Sequence, residues 1–485
     1  MNLENNAAQT GKKAPSGIFS RTVSLFLWAL FLGNLVYLLY YLPNIPQWDW
    51  NGIFRINGFT LLIWTTVTFF SAVVGSYAGS YLEGFRYRNR FMGLCLGFTT
   101  SVMLFVMCDH ILPLLLSWFA MGLFMSRLIG IDSDWGEAGE ASKFAQKYFF
   151  AGTFFLSCGV LILAFQGNVF TISGLTSIFN SLPPHIIFIA ALCLIVAAII
   201  QSAIYPFHRW LLSAMTAPTP ASALMHAGFV NGAGILLALF ASLFFASHTL
   251  TLLFIIGGLT AIIAQFTKLL QVNVKQKLAC STIAQMGFMI MQCGLGFFNA
   301  AVVHLILHGF YKAYLFLSAG DGIEHAKPEQ PLQIRIKPLQ AVVVLFFGIL
   351  GAVLFALLTG KGTAMDSGIL LTLVVAITVG QVTYNIVKQQ SLSLFQKAFL
   401  PPLLFISGIA VYAFIYNGVT LLMADMPMVV VPLPLTSVQI LFGVVFLIGF
   451  FIMKLGIYRR VPWLYVKLLN ISQPYKKSIL LYKSK

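Results

Sequence analysis

Three bases recur at four-residue intervals in one apolar stretch: His304, His308 and Lys312. On a helix, positions i, i+4 and i+8 share a face. The stretch therefore predicts a row of titratable groups along a hydrophobic helix. Imidazole and a desolvated amine can both take up and release protons near neutral pH. Such a row is costly in a bilayer unless it faces a wet or paired interior. It predicts either a hydrated ion path or a polar seam holding helices together. His304 and His308 also have the spacing of two metal ligands. Leu305, Ile306 and Leu307 lie between them, with no glutamate and no third ligand nearby. No metal or other cofactor is expected.

A second stretch, Gln201 to Leu236, has the same character. Pro206 removes a backbone donor and clashes with the preceding turn, so it predicts a helix break. Past a link containing Pro218 and Pro220, His226 stands in a new apolar run. A broken helix followed by an intramembrane histidine is the pattern of an ion path. A packed proline kink with a histidine bound to a carbonyl has the same sequence. Asn231, Asn273, Gln265, Gln285 and Ser281 are candidates to hold waters or to cross-link neighbouring helices.

The elements that must carry these groups follow from composition. The 485 residues are 59% hydrophobic and 9% charged, with a mean hydropathy of +0.89. Soluble domains carry roughly a quarter charged residues, so the chain is expected to be an all-α polytopic membrane protein. A span takes about 20 apolar residues, which gives about 14 transmembrane helices. The formal charge of +16 is read as basic cytoplasmic loops rather than nucleic-acid binding. Arg86, Arg88, Arg90, Lys143, Lys147, Arg209, Lys268, Lys275, Lys277, Lys327, Arg335, Lys337, Lys388 and Lys397 then fall on one side with both termini, with Arg55 and Lys361 as the exceptions. The outer stretches 167–185 and 418–436 hold no Lys or Arg. None of the six cysteines forms a C-x-x-C pair, so neither a zinc nor a redox site is read from them.

Gly360 and Gly362 flank Lys361 and predict a second helix break. Interruptions at matching places in two halves point to inverted repeats of five helices, each with one broken helix. The expected organisation is a tail and first helix over 1–57, and a second helix with a basic loop over 58–90. A first repeat follows over 91–246 and a second over 249–390. The C-terminal helices cover 391–457, and a basic tail at the membrane interface covers 458–485. A partner-docking role for that tail is equally open.

Several motifs carry a family resemblance. Pro206 to Gly234, with Pro218-Thr219-Pro220 and Ser222-Ala223-Leu224-Met225-His226-Ala227, is one. Asn273 to Thr282 with Gln285-Met286-Gly287-Phe288 is another, and His304 to Ala313 a third. Over roughly residues 58 to 390 the chain resembles the antiporter-like subunits of respiratory complex I and Mrp-type cation antiporters. The resemblance implies two half-channels joined by a polar axis, here His226, Lys275, His304, His308 and Lys312. It places Lys361 where the family has an exit-side lysine. Three positions depart from the pattern: Phe119 follows Trp118 where a glutamate is expected, Thr153 replaces an acid, and Gln201 replaces a lysine.

The wording Pro206 to Leu212 and His226 to Gly234 is more similar to one branch, the membrane subunits of DAB inorganic-carbon accumulation complexes. That branch implies cation flow, H+ or Na+, in a bacterial inner membrane. The flow would energise CO2 hydration by a large cytoplasmic zinc-containing, carbonic-anhydrase-like partner. The chain itself shows no nucleophile constellation, so the expectation is a transporter subunit, not an enzyme. A proton-pumping or antiporter subunit of a complex I or Mrp-type assembly, and a non-conducting anchor, are the alternatives.

Overall fold

The computed structural model describes residues 17–319, 338–388, 393–455, 458 and 460–479. The N-terminal tail over 1–16, Arg459, and the loop with Asp321, Glu324, Lys327, Arg335 and Lys337 lie outside them. The described chain is helical except for loops and one small hairpin, Trp48–Trp50 against Phe54–Ile56. The first helices are α1 (Ile18–Tyr41), α2 (Gly58–Tyr81), α3 (Arg88–Met107), α4 (Ile111–Ile129), α5 (Gly136–Gly167) and the short α6 (Ile172–Ile178). Then come α7 (Pro184–Gln201), α8 (Arg209–Ser213), α9 (Thr219–Ala227), α10 (Gly232–Leu239) and α11 (Ala241–Ala246). The second half holds α12 (Leu250–Leu269), α13 (Val274–Gly294), α14 (Phe298–Leu317), α15 (Pro338–Thr359) and α16 (Gly368–Lys388). α17 (Leu394–Leu422), α18 (Ser437–Leu455) and α19 (Pro462–Ile471) complete it.

Among the described residues, eleven helices are long and apolar enough to cross a membrane, with Thr219–Leu239 counted as one. The chain is thus a multi-pass membrane protein. The apolar stretches of α16 and α18 are shorter. α13 falls outside that set because Lys275, Gln276, Lys277, Gln285 and Gln292 lower its hydropathy. Local chemistry sets the helix starts. Asn57 accepts from Thr60 N at the head of α2, and Asn273 accepts from Lys275 N and Gln276 N at the head of α13. These side chains satisfy amides that a helix start leaves unpaired. Asn273 is therefore a helix cap.

α12 and α13 pack closest. A Cβ added at Gly257 would lie 2.5 Å from Gly287 O and from Met291 N. Only glycine allows that approach, which brings two helix backbones together in the absence of a hydrophobic drive between them.

The two expected breaks differ. α7 stops at Gln201, and helix resumes only at Arg209, so the chain around Pro206 is a true interruption. Gly360 and Gly362, at φ +68° and +72°, instead form the connection between α15 and α16. Those two helices pack against each other, so this feature is a turn between helices rather than a gap within one. The physical reason is that Gly-Lys-Gly supplies left-handed backbone, which serves a turn as readily as a break.

The tail docks on the chain itself. His208 Nε2 donates to Ile471 O at 2.8 Å, and Tyr475 N donates to Ser213 Oγ at 2.8 Å. The Tyr475 ring stacks on Phe144 at 4.4 Å and 2°. Leu468 is buried while Trp463 is 68% exposed, so α19 is amphipathic with one face on the protein. The end of α19 and the residues after it thus lie against the broken segment after α7.

Burial pulls the His208 imidazole down from 6.5 to about 4, with Arg209 acting in the same direction and the Ile471 carbonyl opposing. Docking is then fully present above pH 6.5 and weakens as pH falls toward 4, where the unfolded imidazole binds a proton and the docked one resists it. Limited proteolysis of the tail should accelerate between pH 7 and pH 4.5 in the parent protein. The pH dependence should be flatter in His208→Gln, which keeps a donor without titrating. Equal pH dependence in both would exclude His208 as its origin.

Candidate functional site

The row on α14 is built by helix geometry. One four-residue step rises about 6 Å, and the rings of His304 and His308 lie 6.1 Å apart at 13°. His308 and Lys312 are buried. α14 packs on α9 and α13. α9 starts with Pro220 in its first turn, where a missing N–H costs nothing. It carries the fully buried His226 near its end.

His226 Nδ1 lies 2.9 Å from Thr282 Oγ1 on α13. The Thr282 hydroxyl donates its single proton to Leu278 O at 3.1 Å. It must therefore accept from His226, so Nδ1 carries a proton and Nε2 is left as the free acceptor. Lys312 Nζ donates to the same Leu278 carbonyl at 3.0 Å. His226, Thr282, Leu278 O and Lys312 thus form one connected chain across three helices. The His226 ring also stacks on Phe316 of α14, at 4.5 Å and 18°. The four bases thus lie along the contact of α9, α13 and α14.

The surrounding polar groups divide into two kinds. Asn231 is a cross-link: its Nδ2 donates to Ala227 O at 2.7 Å and to Leu305 O at 3.2 Å. Other buried atoms have no hydrogen-bond partner: Nε2 of His226, His304 and His308, Asn231 Oδ1 and Gln292 Oε1. Each is buried polarity that costs about 1–3 kcal/mol if left unmet. Four of these atoms lie on α9, α13 and α14 and the fifth in the turn after α9, so the region holds polar atoms free to take new partners.

The other predicted residues sit apart from this centre. Lys275 Nζ donates to Ala217 O at 2.9 Å, pinning the start of α13 to the link before α9. Lys361 is buried, with Nζ 3.8 Å from the Tyr416 ring centroid and 4.8 Å from that of Phe297. Sequence reading missed what lies between Lys361 and the row. Asn299 Nδ2 donates to Thr420 Oγ1 at 2.6 Å, and Thr420 Oγ1 donates on to Tyr416 O at 2.7 Å. Asn299 stands five residues before His304 on α14, about 7.5 Å along the axis. The amide letter on α14 was the available signal. Its partners on α17 are more than a hundred residues away.

Phe119, Thr153 and Gln201 each have a local partner. Phe119 is 38% exposed and stacks on Phe150 at 5.5 Å and 18°. Thr153 Oγ1 donates to Phe149 O at 2.9 Å, within its own helix. Gln201 Nε2, buried, donates to Phe229 O at 3.2 Å.

Thr282→Val removes the hydroxyl at nearly constant shape and leaves the His226 Nδ1 proton unmet. A cost of about 1–3 kcal/mol is expected, seen as a lowered melting temperature of the purified protein. Thr282→Ser should melt near the parent. A Val variant as stable as the parent would dismiss the network.

Residues 108–386, which contain every base of the row and all three departed positions, match the family described as NADH:quinone oxidoreductase/Mrp antiporter, TM. The probable inorganic carbon transporter subunit DabB of Bacillus anthracis is 35% identical over 312 residues, 62% of this chain and 59% of that protein. NADH-quinone oxidoreductase subunit L of Rickettsia felis is 33% identical over 343 residues, 67% of this chain and 51% of that protein. The chain thus spans little more than half the length of these relatives. The Mrp complex from Dietzia sp. DQ12-45-1b shares the fold at a TM-score of 0.58 and 21% identity, over 95% of this chain and 51% of that one. The archaeal membrane-bound sulfane sulfur reductase does so at 0.56 and 18%, over 93% and 91%. By that match, which covers more than half of its residues, the chain belongs to the transmembrane family of NADH:quinone oxidoreductase and Mrp antiporter subunits.

Proposed function

We propose that the chain is the cation-conducting membrane subunit of an inorganic-carbon accumulation complex in a bacterial inner membrane, with both termini cytoplasmic. Ion flow through it energises hydration of CO2 to bicarbonate by a large cytoplasmic zinc-containing, carbonic-anhydrase-like partner. The observation that carries the conduction step is the His226–Thr282–Leu278 O–Lys312 connection beside His304 and His308. Its kinship with a relative named as an inorganic carbon transporter subunit supports the substrate class.

The chemistry of the row favours H+ as the ion. His226, His304, His308 and Lys312 are bases that pass a proton from one free pair to the next, and none is a carboxylate of the kind that holds a hard cation such as Na+. In this reading a proton arrives from the side of Lys361, Tyr416 and Asn299. It is taken up at a free imidazole Nε2 and moves along His304 and His308. Lys312 releases its own proton toward the cytoplasmic end of α14 and is reprotonated from His308. Thr282 holds His226 in the tautomer whose Nε2 is ready to accept. Hydration itself takes place on the partner.

The match to subunit L keeps a redox-linked pump as the competing assignment. The packing of Phe119, Thr153 and Gln201 counts against it. A Glu–Lys pair at Phe119 and Gln201 is missing, so the first half has no charge pair with which to drive a pump stroke.

Lys312→Ala and His226→Ala are expected to abolish growth at ambient CO2 while high CO2 restores it. Proton uptake into vesicles carrying the complex should fall by about a hundredfold or more, in the range of losing a positioned acid–base group. The measurement is growth and uptake at matched expression. Full function of both variants would reject the relay.

A further inference from the structure

Away from the ion path, the starts of α1 and α3 enclose a cavity of about 330 Å³ lined by Gly17, Ile18, Arg21, Glu83, Phe85 and Arg88. The Arg88 guanidinium lies over the head of α1, close enough that a Cβ at Gly17 would sit 3.3 Å from Nη1. Arg88 Nε is buried without a hydrogen-bond partner. Among the described residues, neither helix start has a side-chain cap or an acidic residue in its first turn. Among the described residues, neither Arg21 nor Arg88 has an ion pair within 4.0 Å. Two guanidinium groups and two uncapped helix starts thus converge on one space, opposed by the single exposed carboxylate of Glu83. Guanidinium forks match phosphate oxygens, and helix starts favour anions.

The surface beside the cavity says what else the ligand carries. Ile18 is 72% and Leu25 71% exposed, so an uncovered apolar face of α1 runs from the cavity mouth along the span. A phosphate attached to acyl chains fits both features. We propose that this cavity binds the phosphate headgroup of an anionic glycerophospholipid, with the acyl chains lying along α1. The lipid ties α1 to α3 through Arg21 and Arg88. This site is independent of the proton path.

The test is native mass spectrometry of the full chain in detergent micelles holding equal phosphatidylglycerol and phosphatidylcholine. One phosphatidylglycerol should be retained where phosphatidylcholine is stripped. Arg21→Gln with Arg88→Gln should lower retention by roughly tenfold or more, since each basic residue near an anionic surface contributes separately. Glu83→Gln, at an exposed position that does not threaten folding, should raise retention. Arg460→Gln, an exposed base elsewhere, should change nothing. Inorganic phosphate at millimolar concentration should not displace the lipid. Equal retention of the two lipids would overturn the site. So would retention unaltered by Glu83→Gln or by the double change, or an equal loss in Arg460→Gln. Displacement by inorganic phosphate alone would reassign it to a free phosphate anion.

Discussion

One carbonyl oxygen, in the second turn of α13, takes two side-chain donors. Leu278 O receives Thr282 Oγ1 from its own helix and Lys312 Nζ from α14. An ammonium group away from water is tolerable only where an acceptor meets it. This carbonyl is that acceptor, so the register of α14 against α13 is set by it. The register in turn decides where His308 and His304 stand, one and two steps along the same face. Thr282 passes the constraint on to His226 and hence to α9. A one-residue slip of α14 would turn the row by about 100° and leave a buried cation without a partner. The polar contact thus specifies the packing at least as much as it stabilises it.

What the sequence made legible was whatever depends on neighbours along the chain. The shared face of His304, His308 and Lys312 follows from helical spacing alone, and the stop near Pro206 from a ring that cannot donate. The cap at Asn273 was an amide before a helix, read as a holder of water or a cross-link, because capping uses the same side-chain oxygen. The illegible features are those joined across distant segments. Leu278 contributes through its carbonyl, and a backbone oxygen has no letter. Asn299, Thr420, Tyr416 and Lys361 converge from three elements separated by dozens of residues. Gly360 and Gly362 showed that the backbone turns there, but not whether one helix or two meet at the turn. Phe119 showed a lost charge, but not that its ring stacks at the periphery.

Gln201 and its neighbours have a structural role. Gln201 donates to Phe229 O, and the next residue, Ser202, donates to Val230 O at 2.6 Å. Trp210, just past the break, donates from Nε1 back to Ile200 O at 2.9 Å. The broken end of α7 therefore satisfies the carbonyls of the irregular turn that follows α9. That turn lies between His226 and Asn231, the two polar groups that face α13 and α14. Buried irregular backbone at this depth is permitted only where protein meets it. At Gln201 the chain has an amide that can bond a carbonyl without bringing charge. The contact made by Gln201 is thus also one that holds His226, in the same half of the chain, in position.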